Sequence, residues 1–287
     1  HGMRVGQWVR IRPTMEAHII GDPTFRFAAP RSDEINTLLT RRWNDRRAWE
    51  ALLDDPDVPV RALAVSAIPR FDSRNADRRL AAIYRSEPSF VVRMQALEAL
   101  ASTRSDTFHT VLETAITDPY EFIRRSAAQW MGDVGHARYL PALIERMHTD
   151  PSNRVNYVVR DAIEQIDAAG AVAVNEAFIS TLPNTVDSAA LATSTSRGFT
   201  LTAQRVAGEE LPTALDRGKT PKQRIAAIRT FRVYRYRQAI EPLVQLALSE
   251  DDDATVRAAA LEALGWFAHS ASRADITAAR RRTLSRR

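Results

Sequence analysis

The chain has 287 residues, of which 45% are apolar, and a formal net charge of +5. It contains no cysteine, which excludes disulfides and thiolate chemistry but leaves the cellular compartment open. No run of about 18 or more apolar residues is present, which excludes a membrane-spanning helix, and the length suits either one long repeat domain or two compact domains.

The first 40 residues predict a short β-like extension. Residues 8–12 and 25–27 alternate apolar with basic side chains, and residues 21–23 predict the turn between these two strands. This segment is either a cap over the helices that follow or the end of an upstream β-domain. Residues 31–49 then predict a leading helix, with Ser32 or Asp33 as its N-cap.

A repeated pattern begins near residue 60 and continues almost to the end of the chain. An apolar residue and an arginine are followed by an alanine three positions later and by another apolar residue four positions after that. The anchor position of this pattern falls at Arg61, Arg93, Arg124, Val159 (a looser copy), Arg224 and Arg257. Successive steps are 32, 31, 35, 65 and 33 residues, so the long step predicts a degraded copy near residue 191. Seven repeats are therefore predicted.

The sequence pattern of each repeat predicts two helices joined by a tight turn. An acidic residue stands six positions before the arginine in four repeats, at Asp55, Glu87, Asp118 and Asp251. Proline follows three of these acids and cannot continue a preceding helix. Apolar residues spaced by three and four lie upstream of each acid. The order is thus helix A, an acidic turn and helix B, whose alanine lets neighbouring helices pack closely.

These features resemble the HEAT-repeat family over residues 45–167 and 221–267. Pro141 and Pro242, inside helix A, also match the family pattern, in which they bend that helix. The resemblance implies an all-α fold, a right-handed α-α superhelix (an armadillo-like solenoid) of about seven helical pairs over residues 41–270. It also implies an acid–arginine ladder between adjacent repeats and a role in binding proteins.

Two stretches depart from the repeat. Residues 167–220 are rich in Ala, Thr, Ser and Gly and predict one irregular helical pair, followed by a long connection through Gly198, Gly208 and Gly218. Residues 271–287 contain five arginines in their last eight positions and predict a helix end that continues into a basic tail.

No catalytic, metal-binding or cofactor-binding motif is present. The sequence lacks the zinc motif HExxH, the nucleophile motif GxSxG, a phosphate-binding loop and GxGxxG. His109 with Glu113, and His148 with Asp150, have suitable local spacing, but neither pair has a third ligand at a recognisable distance. We therefore expect no catalytic residue, metal or cofactor in this chain.

The positive charge is concentrated towards the C-terminus. Residues 217–237 carry eight basic residues and no acid, and removing them and the last five arginines from the net charge leaves −8 for the rest. A patch for an acidic partner is predicted here, formed by Arg229, Arg232, Tyr234, Arg235, Tyr236 and Arg237. The alternative is that the aromatic residues point into the core and the arginines are only solvated.

Several functions are compatible with these features, and a non-catalytic scaffold for a protein or peptide partner is the first. Residues 21–27 and 55–68 also resemble the junction between the β-domain and the helical C-terminal domain of M1-like aminopeptidases, whose zinc ligands are missing here. Because those ligands are missing, any peptidase activity would lie upstream of this chain, whose first residues His1-Gly2-Met3 resemble a cloning remnant. A resemblance to basic HEAT-like DNA glycosylases implies nucleic-acid binding. A resemblance to the phycobilin-lyase group implies a lyase or chaperone role. A cytoplasmic location is expected unless a signal peptide has been removed.

Overall fold

The structure is a computed structural model that describes Thr24, residues 29–183, residues 187–267, Ser270 and residues 273–284. All regular structure in these residues is helical, as predicted. The strands predicted at 8–12 and 25–27 lie outside the described residues. The chain divides into two compact units, residues 1–111 and 112–287, and the division falls inside one helix.

Helices of the first unit are α1 (Ser32–Thr40), α2 (Arg46–Glu50), α3 (Val58–Phe71), α4 (Ala76–Ser86), α5 (Phe90–Thr103) and the start of α6 (Asp106–Ala115). Those of the second unit are α7 (Glu121–Val134), α8 (Leu140–Thr149), α9 (Asn153–Asp167), α10 (Gly170–Ile179), α11 (Ser188–Arg205), α12 (Leu211–Leu215), α13 (Pro221–Val233), α14 (Ile240–Leu248), α15 (Ala254–Gly265) and α16 (Arg273–Leu284). The B helices α3, α5, α7, α9, α11, α13 and α15 give the seven predicted pairs.

Helix B of one repeat packs on helix B of the next within each unit. In the first unit α3 packs on α5, and in the second α7 packs on α9 and α13 on α15. The repeat alanines of α3, α5 and α7, which are Ala64, Ala96 and Ala127, are all buried. This stacking buries apolar faces that a single helical pair would leave in water.

The leading helix predicted over residues 31–49 is two helices. Helix α1 ends at Thr40, and Ser32 is its first residue rather than its cap. Helix α2 begins at Arg46, where the Asp45 carboxylate accepts a 3.1 Å hydrogen bond from the backbone N–H of Ala48. The intervening turn allows the Trp49 indole to donate a 3.0 Å hydrogen bond to the carbonyl of Trp43. The predicted helix is interrupted at the turn that this hydrogen bond spans.

The predicted acid–arginine ladder is present inside both units. The Arg61 guanidinium donates a 2.7 Å hydrogen bond to the carbonyl of Asp55, in its own turn, and lies 3.1 Å from the Glu87 carboxylate of the next turn. Arg124 makes the same pair of contacts with the Asp118 carbonyl, at 2.9 Å, and the Asp150 carboxylate, at 2.6 Å. Each arginine thus closes its own turn and binds the next repeat.

The fourth repeat has a different register from the predicted one. Helix α9 begins three residues before Asn156, as α7 begins three residues before Arg124, so Asn156 and not Val159 occupies the anchor position. Its side-chain amide donates a 3.2 Å hydrogen bond to the Asp150 carbonyl, as the arginine does elsewhere. An asparagine is too short to reach a further acid, so the ladder is interrupted at this repeat.

The stretch from 167 to 220 is more helical than predicted. Helix α11 begins at Ser188 and supports the degraded copy near residue 191. Gly198 lies inside α11 and Gly208 inside the π-helical turn Val206–Glu210, so neither belongs to a long connection. The atom nearest to a side chain added at position 198 is the flexible end of Arg160, and the helix continues through this glycine.

Pro141 and Pro242 occupy the first turn of their α-helices, after the 3-10 turns Ala137–Tyr139 and Arg237–Ala239. Proline is tolerated there because the first N–H groups of a helix have no intrahelical acceptor. The two matched prolines therefore stand where a 3-10 turn joins an α-helix.

Candidate partner-binding site

An ion pair holds the segment after α13 against α7 in the second unit. The Arg235 guanidinium lies 3.1 Å from the carboxylate of Asp133, in the last turn of α7. The 3-10 turn Arg237–Ala239 then packs against α9. Helix α7 ends beside this ion pair, with Gly135 as a left-handed C-cap at φ +73°.

A groove of about 420 Å³ opens between three elements that this arrangement brings together. Its first wall is α9, which contributes Tyr157, Asp161 and Glu164 at successive turns of one helical face. Helix α11 forms the second wall with Leu201 and Arg205.

The third wall is the short segment between α13 and the following 3-10 turn. Tyr234 and Tyr236 both line the groove, and their rings stack with centroids 6.0 Å apart at an interplanar angle of 14°. The Arg205 guanidinium carbon lies 5.0 Å from the Tyr234 ring centroid, and its Nη2 donates a 3.1 Å hydrogen bond to the Tyr236 hydroxyl. Arg205 thus fixes both rings relative to α11.

Large apolar side chains are exposed around this groove. Tyr157 is 78% exposed, Leu201 56% and Tyr234 37%. We call this groove, in which Tyr157, Leu201 and Tyr234 are the exposed apolar side chains, the tyrosine groove. Exposed aromatic rings beside a concavity are typical of surfaces that bind other molecules.

Partly buried carboxylates line the groove. Burial raises the pKa of Asp161 and of Glu164, because the charged form loses hydration. Beside them, burial raises the pKa of Asp133 to about 6, while Arg235 opposes the shift. The site thus offers acceptors on α9 next to the guanidinium donors of Arg160 and Arg205.

The residues predicted for partner contact do not form one surface. Arg232 lies 3.2 Å from the Glu262 carboxylate, and Arg235 is paired with Asp133. Tyr236 is buried, and it lines the groove while stacking on Tyr234 and accepting a hydrogen bond from Arg205. Arg229 and Arg237 are exposed, but they belong to α13 and to the 3-10 turn respectively.

Four of the eight basic residues at 217–237 form ion pairs within the second unit. Arg217 pairs with Asp251 at 2.8 Å and Arg224 with Asp252 at 2.7 Å, in addition to the pairs of Arg232 and Arg235. The acid that completes the ladder is therefore Asp252 rather than the predicted Asp251. These partners lie outside the run, in α7, in α15 and in the turn before α15.

Sequence reasoning missed α9 as a wall of the site. Tyr157, Asp161 and Glu164 follow each other at helical spacing, a detectable signal that the three-residue error in the repeat register obscured.

Among the described residues, no group of three His, Asp or Glu side chains could hold a metal ion. No helix in the same part of the chain is long and apolar enough to cross a membrane.

Comparison with known families identifies the repeat. A family model described as HEAT repeats matches residues 47–130, 78–164 and 209–285, which together cover more than half of the chain. No curated protein matches the sequence.

Proposed function

Because this chain belongs to the HEAT-repeat family, we propose that it is a non-catalytic scaffold that holds an extended segment of a protein partner in the tyrosine groove. The exposure of Tyr157 carries the proposal. A tyrosine that is 78% exposed beside a groove of about 420 Å³ offers a large, stiff contact area at little cost in side-chain entropy.

The polar groups of the groove favour a polypeptide over a nucleic acid. A polypeptide presents one N–H and one C=O group per residue, which suits walls that offer both carboxylates and guanidinium groups. A nucleic-acid backbone presents negative charge and acceptors, and Asp161 and Glu164 would repel it. Arg160 offers little compensation, because its guanidinium already lies 3.5 Å from the Glu164 carboxylate.

The sequence-predicted contact residues take different roles in this proposal. Tyr234 contacts the bound segment, and Tyr236 and Arg235 hold the third wall of the groove in position. Arg232 is engaged with Glu262 and, at 5.2 Å, with the Trp266 ring, so we assign it a structural role.

Selection of peptides on the immobilised full chain tests this function. Peptides enriched from a random display library are titrated against the wild type, Tyr157→Ala and Leu201→Ala. The two variants remove side chains from opposite walls, and each is expected to weaken binding about tenfold, as truncation of a central contact does.

Tyr120→Ala is the matched control, because Tyr120 is 46% exposed in the same unit and does not line the groove. Its affinity for the selected peptides is expected to equal that of the wild type. Peptides that bind all three variants and the wild type equally would place the binding surface elsewhere and refute the proposal.

A further inference from the structure

Four cations of the run at 217–237 have no acidic partner among the described residues. Arg217, Arg224, Arg232 and Arg235 are each within 4 Å of a carboxylate. The other four are Lys219, Lys222, Arg229 and Arg237, and all four are exposed. Charge that the fold itself does not neutralise is available to a ligand.

Two of these cations lie on one face of α13. Lys222, Ala226, Arg229 and Val233 are exposed and follow each other at intervals of four, three and four residues, the spacing of a single helical stripe. The opposite face of the helix is buried through Ala227, Ile228 and Phe231. We call the four exposed residues the α13 stripe.

The stripe alternates cationic with apolar side chains. Ala226 follows Lys222 by one turn, and Val233 follows Arg229 by one turn and is 67% exposed. No acidic residue occurs in α13, so nothing on the helix neutralises the stripe. The small side chain at position 226 allows a second backbone to approach closely.

We propose that the α13 stripe binds an acidic amphipathic helix of a protein partner. The partner places carboxylates against Lys222 and Arg229 and apolar side chains against Ala226 and Val233, one helical turn apart. This arrangement combines charge complementarity with burial of the exposed valine. A phosphate backbone would satisfy the two cations but would leave Val233 in contact with charged groups, so the stripe favours protein.

The inference rests on the proposed scaffold function but uses a surface other than the tyrosine groove. None of the four residues of the stripe lines the groove. A partner that occupies both surfaces would gain affinity through effective concentration, because the two sites belong to the same compact unit.

Two synthetic peptides of identical composition test the inference by fluorescence anisotropy with the full chain. The first arranges Glu and Leu one turn apart along one helical face, and the second contains the same residues in shuffled order. The amphipathic peptide is expected to bind at least about tenfold more tightly, and its affinity is expected to fall as salt increases. Equal binding of both peptides would overturn the inference in favour of unspecific charge attraction.

Charge reversal locates the binding surface. The double variant Lys222→Glu/Arg229→Glu is expected to weaken binding of the amphipathic peptide at least about tenfold. The control Arg154→Glu/Arg197→Glu makes the same change in net charge at exposed cations outside the stripe and is expected to change affinity less than about twofold. A peptide with Lys in place of Glu is expected to regain affinity for the first variant only. Equal losses in the two variants would overturn the inference.

Two further measurements separate the rival explanations. Tyr157→Ala is expected to bind the amphipathic peptide normally, so failure of the groove and failure of the stripe are distinguishable. Mixed-sequence DNA is expected to bind the wild type more weakly than the amphipathic peptide at about 50 mM salt, where phosphate contacts are strongest. Tighter binding of DNA, abolished by Lys222→Glu/Arg229→Glu, would assign the stripe to nucleic acid and refute the proposal. Circular dichroism of each variant verifies that the helices are intact.

Discussion

The Asp133 carboxylate and the Arg235 guanidinium meet at 3.1 Å although 102 positions of sequence separate them. Asp133 ends helix B of the third repeat, and Arg235 follows helix B of the sixth. In a regular repeat stack each repeat contacts only its neighbours, as the sequence predicted here. This contact bypasses the fourth and fifth repeats. The tyrosine groove lies between elements that the contact brings together.

Asp133 is expected to make stability depend on pH between about 4 and 6. Burial raises its pKa to about 6 in the folded protein, while Asp161 adds to the shift and Arg235 opposes it. Between about pH 4, near the usual pKa, and pH 6, the folded state binds more protons than the unfolded state. The contribution of Asp133 therefore increases as pH falls through 6 and is lost as pH rises through it.

Urea unfolding of the wild type and of Asp133→Asn at several pH values measures this contribution. The free energy of unfolding of the wild type relative to the variant is expected to rise by about 1.4 kcal/mol between pH 7.5 and 5. Asp54→Asn removes an exposed carboxylate and controls for the loss of charge. A difference that stays constant over this range would show that Asp133 does not titrate there.

Gly132→Ala is expected to destabilise the second unit. An added Cβ would lie 2.9 Å from the Cα of Ala162, so α7 and α9 would have to separate. We expect a loss of about 1–3 kcal/mol in the free energy of unfolding, as overpacking of a core produces. Gly208→Ala is the control, because no heavy atom lies within 4 Å of the added Cβ, and its unfolding midpoint is expected to be unchanged or slightly higher.

The sequence predicted the helical pairs because each repeat carries its own local signals. The three-residue error at α9 arose because Val158-Val159, Ala162 and Ile166 imitate the repeat pattern without the arginine. The dipeptide Asp150-Pro151 is an acid-proline turn like the others and would have given the register. Turn chemistry therefore locates a repeat more reliably than apolar periodicity, which several registers of one helix can satisfy.

The binding surface was less predictable than the fold. Residues 217–237 look uniformly cationic in the sequence, but Asp133, Asp251, Asp252 and Glu262 reach them from three other parts of the chain. Long-range pairs of this kind leave no local trace in composition. The stripe on α13 was nevertheless readable, because an exposed helical face depends only on spacing within one helix.

Arg124 is expected to contribute far more to stability than Arg217, although both bind aspartates. Arg124 and Asp150 are buried, and Arg124 also donates hydrogen bonds to the carbonyls of Asp118 and Pro119. Removing one partner of a buried pair leaves an uncompensated charge, so Arg124→Ala is expected to cost about 3–5 kcal/mol.

Chemical denaturation of Arg124→Ala and Arg217→Ala compares the two sites. Arg217 pairs with Asp251 at a solvent-exposed site, where such pairs contribute less than about 1 kcal/mol, so its variant is expected to unfold near the wild-type midpoint. Arg124→Lys keeps the charge but loses the two-pronged contact with Asp150 and should fall between the two alanine variants. Similar midpoints for both alanine variants would contradict a structural role for the ladder.

Arg70 is expected to stabilise the first unit through contacts with three aromatic rings at the end of α3 and around α2. Its guanidinium carbon lies 3.7 Å from the ring centroid of Trp43, 4.8 Å from that of Trp49 and 4.4 Å from that of Phe71. Cation–π contacts at sites of this kind are worth about 0.5–2 kcal/mol, so Arg70→Met should lower the free energy of unfolding by that amount. Arg70→Lys retains the charge without the planar group and should lose less. Thermal unfolding monitored by circular dichroism measures both, and equal losses for Met and Lys would show that the charge on the side chain contributes nothing.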